Sequence, residues 1–207
     1  MTSSESSPDK PGTLRAYGGE AGDARVARRR AALIDAALDV FGDPEAASIT
    51  VRGVCARAAL TPRYFYESFT GVDQLIGAAY DEVIARLAGE AREAFRAAET
   101  PRERVEEAVR ALLRVIESDP RAGRLLFADT IGGAVIAAKR AESITFLVQL
   151  TSESAREGFG MRPGPELTAA AYFQVGGLGR LLGAWSQGDI ELDRERMVAV
   201  CVRMLLP

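Results

Sequence analysis

Between Thr50 and Phe69 the sequence TVRGVCARAALTPRYFYESF crowds hydroxyls, guanidinium groups and phenols into two short helical stretches. Thr61, Arg63, Tyr64 and Tyr66 fall at or near the start of the second stretch, and the Thr61-Pro62 pair that opens it is a helix-start signal. There the positive end of the helix dipole and the side-chain donors can meet phosphates, while Arg63 or Tyr64 can reach base edges. Arg52, on the preceding stretch, projects the same way because Val51, Val54 and Cys55 take the inward face. The same corner of two short helices also occurs as plain packing in helical proteins that touch no nucleic acid. Other chemistries find little support. The chain has no histidine, so the commonest general base and metal ligand are missing. No nucleophile with its base, phosphate loop or metal cluster is apparent, and neither an enzyme nor a cofactor is expected. Cys55 and Cys201 match neither a redox pair nor a metal spacing and read as small buried hydrophobes.

The elements that must position these groups are helical nearly throughout. Val26, Leu33, Ala37, Leu38 and Phe41 recur at helical spacing from Arg25 to Phe41, and Gly42, Asp43 and Pro44 end that helix. Thr50 can cap a very short helix, Ala58 to Leu60 form a tight turn, and the helix opened by Thr61 runs to Phe69. Thr70, Gly71 and Asp73 open a longer helix. Thr100, Pro101 and Glu103 have the form of a capping box, and Asp119 with Pro120 closes the helix it begins. A short helix through Leu125 to Phe127 follows, then helices over about Ile131–Phe159, Glu166–Gln187 and Leu192–Leu206. Hairpin signals are absent. The expected fold is all-α with about nine helices. Residues 1–23, rich in Ser, Gly, Pro and charge, read as a flexible tail, and no apolar run reaches the length of a membrane span or a signal peptide core. A soluble cytoplasmic protein is therefore expected.

RRAALIDAALDVFG at Arg29–Gly42, SITVRGVCARAALTPRYFYESF at Ser48–Phe69, and Leu75 together resemble the DNA-binding part of the TetR family of bacterial transcriptional regulators. The resemblance implies a helix-turn-helix domain over residues 24–70, followed by a connecting helix and a regulatory and dimerisation domain over 71–207. By the resemblance, Thr50 caps the second helix and contacts a phosphate, Arg52 is placed for phosphate or guanine, and Thr61 takes the capping position of the third helix. Tyr66 then holds the DNA backbone, and Arg63 and Tyr64, beside Pro62, occupy base-reading positions. Arg28, Arg29 and Arg30 are either a solvated helix end or a phosphate clamp, and Arg15 and Tyr17 in the tail could extend it. Ala59 stands where the family often has glycine, Arg63 where a small residue is usual, and Val72 where a phosphate-binding lysine is common.

In the rest of the chain Tyr80, Leu113, Phe127, Phe146, Leu150, Tyr172 and Phe173 could line a ligand pocket or serve as core. The resemblance puts Gly176, Gly179, Leu182, Gly183 and Trp185 in a two-fold dimer interface, where small residues permit close helix approach. It implies a homodimeric repressor that binds a palindromic double-stranded DNA operator and is released by a small, largely apolar ligand. The competing expectation is a helical small-molecule-binding or scaffold protein with weak or lost DNA binding. The total charge of −3 favours that competitor, yet residues 24–66 carry seven basic against four acidic side chains, so the one positive segment coincides with the helix-turn-helix unit.

Overall fold

The computed structural model describes residues 19–43, 48–127 and 133–206, with side chains from residue 22 onward. These residues form nine helices and no strand: α1 (Gly19–Gly42), α2 (Val51–Arg57), α3 (Pro62–Ser68), α4 (Val72–Ala97), α5 (Pro101–Ser118), α6 (Pro120–Phe127), α7 (Gly133–Phe159), α8 (Pro165–Gln187) and α9 (Arg194–Leu205). The all-α expectation holds. Most boundaries follow local chemistry. Thr100 accepts from the Glu103 N–H while the Glu103 carboxylate takes the Thr100 N–H, completing the capping box that starts α5. Asp193 caps α9 through the Arg196 N–H at 2.8 Å, and Gly188, at φ +85°, supplies the left-handed residue that ends α8.

The N-terminal region departs from expectation in two places. Helix α1 begins at Gly19, inside the segment expected to be a flexible tail, and Arg15 and Tyr17 lie outside the described residues. Val26 is exposed instead of joining the buried stripe, on a stretch of α1, residues 23–28, whose residues are all exposed. Burial starts at Leu33 and Ile34 and continues through Ala37, Leu38 and Phe41.

Helices α1, α2 and α3 pack on one another around Leu33, Val54 and the fully buried Phe65. Helix α4 runs from this cluster into the body, where it packs against α5 and α7. Its Leu75, Ile76, Ala79 and Val83 make the core continuous from Phe65 to Leu113 of α5, Leu125 of α6, Ile136 of α7 and Met197 of α9. Burying such large aliphatic side chains contributes roughly 1.5–3 kcal/mol each and dominates the stability of the assembly of helices.

A second tie joins α1 to the body. Arg121, in the first turn of α6, reaches Asp35 at 3.0 Å and also Asp39, both on α1, and donates to Asp119 at 2.9 and 3.1 Å. Asp119 also faces Arg86 of α4 at 3.5 Å. Gly42 lets this happen, since a Cβ there would stand 2.6 Å from Cγ of Arg121. Arg124 closes the joint by donating to the Gly42 carbonyl at 2.9 Å. The Arg121 hydrogen bond to Asp119 holds that carboxyl below the usual aspartate range, and the same pairing raises the guanidinium.

Candidate nucleic-acid interface

The turn between α2 and α3 fixes how α3 is presented. Thr50 caps α2 in extended backbone, its hydroxyl accepting the Gly53 N–H at 3.1 Å. At the other end the Leu60 N–H bonds to the Cys55 carbonyl at 2.9 Å and the Ala59 N–H to the Ala56 carbonyl at 3.3 Å. That pair is a Schellman closure, and it puts Ala59 at φ +52°, the one non-glycine residue with positive φ among those described. The chain accepts an alanine Cβ in a conformation that costs it roughly 1–2 kcal/mol.

Pro62 occupies the first position of α3, as expected, but Thr61 makes no side-chain cap. Proline has no N–H to give, and the Tyr64 N–H is satisfied by the carbonyl of Thr61 at 3.0 Å. The capping expectation for Thr61 is therefore wrong in its atom: the backbone oxygen accepts, and the residue is exposed. Phe65 and Phe69 anchor α3 inward. Its outer face carries Arg63, whose side chain is 85% exposed, and Tyr66, whose ring stands edge-on to Phe65 at 5.3 Å. Arg52 is exposed on α2.

The three arginines of α1 divide. Arg28 is exposed and, with Arg25, Arg29, Ala32 and Leu60, lines an open depression of about 250 Å³ between α1 and the α2–α3 turn. Arg30 lies over the Phe69 ring at 5.2 Å. Arg29 is held inside the unit: its guanidinium stacks on Tyr64 at 4.4 Å and pairs with Glu67 at 3.0 Å. Tyr64 is half-buried by this contact, so one face of its ring is covered. Glu67 carried no signal in the sequence, because its partner lies 38 residues away on another helix.

Val72 is half-buried against the core at the start of α4, and the acidic residue Asp73 sits in the first turn of that helix. The side chain of Gln74 accepts the Thr70 N–H at 2.6 Å and closes the approach.

In the body, the residues offered as pocket lining separate into three sets. Leu113 is fully buried core, and Tyr80 is buried with its hydroxyl 3.4 Å from Ser143 of α7. Phe127 and Leu150 are half-buried. Phe146, Tyr172 and Phe173 do not line an interior cavity, since all three are exposed and Phe173 is 78% so. The physical reason is the register of α8: Leu167, Ala171 and Leu182 form its buried stripe, which turns Tyr172 and Phe173 outward. The same register turns two of the residues expected at a dimer interface toward the core. Leu182 and Gly183 face inward, a Cβ on Gly183 would stand 3.3 Å from the Phe127 ring, and the indole N–H of Trp185 donates to the Leu192 carbonyl at 2.8 Å. Gly176 and Gly179 have open space where a Cβ would be. Among the described residues no cluster of histidine, cysteine or carboxylate side chains could hold a metal, and no helix is long and apolar enough to cross a membrane.

Comparison with known proteins agrees with this architecture. No protein-family model matches the chain. The HTH-type transcriptional regulator BetI of Rhizobium meliloti (strain 1021) is 35% identical over 92 residues, which is 44% of this chain and 45% of that protein, so the match spans less than half of the relative's length. Among solved structures, a putative TetR-family transcriptional regulator from Syntrophomonas wolfei superposes with a TM-score of 0.72 at 14% identity, covering 86% of this chain and 93% of the other. The regulator FadR from Bacillus subtilis, solved in complex with stearoyl-CoA, gives a TM-score of 0.67 at 14% identity over 84% of this chain and 95% of its own. The fold is that of the TetR-family regulators.

Proposed function

We propose that this chain, having the fold of the TetR-family regulators, is a DNA-binding transcriptional regulator that meets a palindromic operator as a homodimer. The observation that carries the reading is the outer surface of α2 and α3. Arg52, Thr61, Arg63 and Tyr66 stand exposed together on two short helices whose buried sides are fixed by Val54, Phe65 and Phe69. Guanidinium and hydroxyl groups so grouped suit phosphate oxygens and guanine edges. Residues 24–70 form the DNA-binding unit in this reading, and 71–207 the regulatory and dimerisation unit.

The exposed strip of α8 supports the dimer: Tyr172, Phe173, Gly176 and Gly177 combine large apolar rings with glycines that let a second helix approach closely. Two copies joined there present two α3 helices, and successive major grooves lie about 34–36 Å apart. A small, largely apolar ligand in the body acts by shifting α4, which packs on both α1 and α7, and so alters the spacing of the paired α3 helices. Release of DNA on ligand binding makes the protein a repressor.

Selection of duplexes from a random library by the purified protein, followed by affinity measurement across salt, tests the central claim. A selected duplex should bind with log K falling steeply as log[salt] rises, and Arg52→Ala should weaken binding about tenfold while lowering the slope by roughly one charge. Salt-independent association, or none, favours a helical small-molecule-binding or scaffold protein, the reading that Val72 and Asp73 at the head of α4 support.

A further inference from the structure

One carboxylate on the outer side of α3 faces two arginines at once. Glu67 Oε2 lies 3.0 Å from Arg29 of α1, and Oε1 lies 3.6 Å from Arg63 Nε, one helical turn back on α3. Arg29 is simultaneously stacked on Tyr64 at 4.4 Å, so Glu67, Arg29 and Tyr64 form a clip that ties α1 to α3. The side chains of Glu67 and Arg29 are about a third and a quarter exposed, whereas Arg63 is almost fully exposed beyond them. We infer that Glu67 is a positioning residue that sets the selectivity of the DNA interface: it fixes the direction of Arg63 and the ring of Tyr64, and it opposes indiscriminate phosphate binding. The inference rests on the DNA-binding reading above.

A carboxylate near a phosphate track is repelled by every sequence alike, so its unfavourable effect falls on all DNA. Its favourable effect is different. An arginine held at a fixed angle gains fully from a guanine edge set at that angle and little from other arrangements, because a bidentate contact is directional. Glu67 therefore weakens binding to arbitrary sequence more than binding to the right one. Removing its charge leaves the guanidinium groups of Arg29 and Arg63 with no carboxylate between them.

The test compares wild type with Glu67→Gln on two probes: a 30-base-pair duplex of random sequence and a duplex selected by the wild-type protein. On the random duplex Glu67→Gln should bind about 3- to 10-fold tighter at 0.1 M salt, with a slope of log K against log[salt] steeper by about 0.9. The selected duplex should gain less, so the ratio between the two falls. Glu67→Asp, which keeps the charge, should retain the wild-type slope; Glu67→Ala carries the comparison if the glutamine variant folds poorly. Unchanged binding and slope for Glu67→Gln, equal tightening on both probes, or an aspartate variant that behaves like glutamine would overturn the inference. A wild-type protein that binds neither duplex overturns the DNA-binding reading itself, an outcome separate from these.

Discussion

Ala59 closes α2 with φ +52°, a backbone state that a glycine adopts without steric cost. Ala59→Gly should therefore stabilise the protein by about 0.5–1 kcal/mol, the relief of strain exceeding the added chain entropy of the unfolded state; thermal unfolding should show a higher midpoint. Thr50→Ala should act oppositely, lowering stability by about 1 kcal/mol through the lost bond to the Gly53 N–H. Both positions could be read from sequence, since a threonine before a short apolar pattern and an alanine in a tight turn have local meanings. Glu67 and Arg29 could not. Their partnership depends on α1 crossing α3, and nothing within either segment encodes that crossing in a form a local pattern can carry. The mistake over Thr61 is of the same kind at shorter range: the residue signals a cap, yet which of its oxygens does the capping depends on the neighbouring proline and on the Tyr64 N–H.

At the scale of elements, the joint between α1 and α6 is held by ion pairs that converge on Arg121. Asp119 is nearly buried, and its Arg121 bond holds its carboxyl pKa below the ordinary value. A carboxyl depressed in this way adds stability that is present above its unfolded pKa of about 3.9 and is lost as pH falls through the lower folded value. Stability should accordingly decline below about pH 4, and Asp119→Asn should flatten that decline while lowering stability at neutral pH. Equilibrium urea unfolding at pH 3 and pH 7 checks both. Arg121→Ala should cost about 2 kcal/mol or more, because it leaves Asp119 nearly buried with only Arg86 as a more distant cation. Helix starts and stops were legible because caps and prolines are local. The joint was not, since it links Asp35 and Asp39 to an arginine more than eighty residues on and depends on Gly42 leaving room.

For the whole molecule, the outward rings of α8 bear on assembly. A chain of 22.2 kDa with Phe173 78% exposed beside Tyr172 and open glycines should sediment at about twice its own mass, and Phe173→Arg should return it to the monomer and abolish tight operator binding. Periodicity identified α8 as a helix but could not assign its faces, because an apolar ring bound for a partner and one bound for the core look alike in sequence. Finally, the two cysteines are placed so that each reports on a different part of the protein. Cys55 is buried in α2 beside α3 and Cys201 in α9 against the body, and burial pushes both thiols up. A thiol reagent can reach either one only when the surrounding helices open, so the labelling rate of each measures the opening of its own neighbourhood. Cys55 labelling well ahead of Cys201 means that the three-helix unit breathes independently of the body; equal rates mean that the continuous core through α4 makes them open as one.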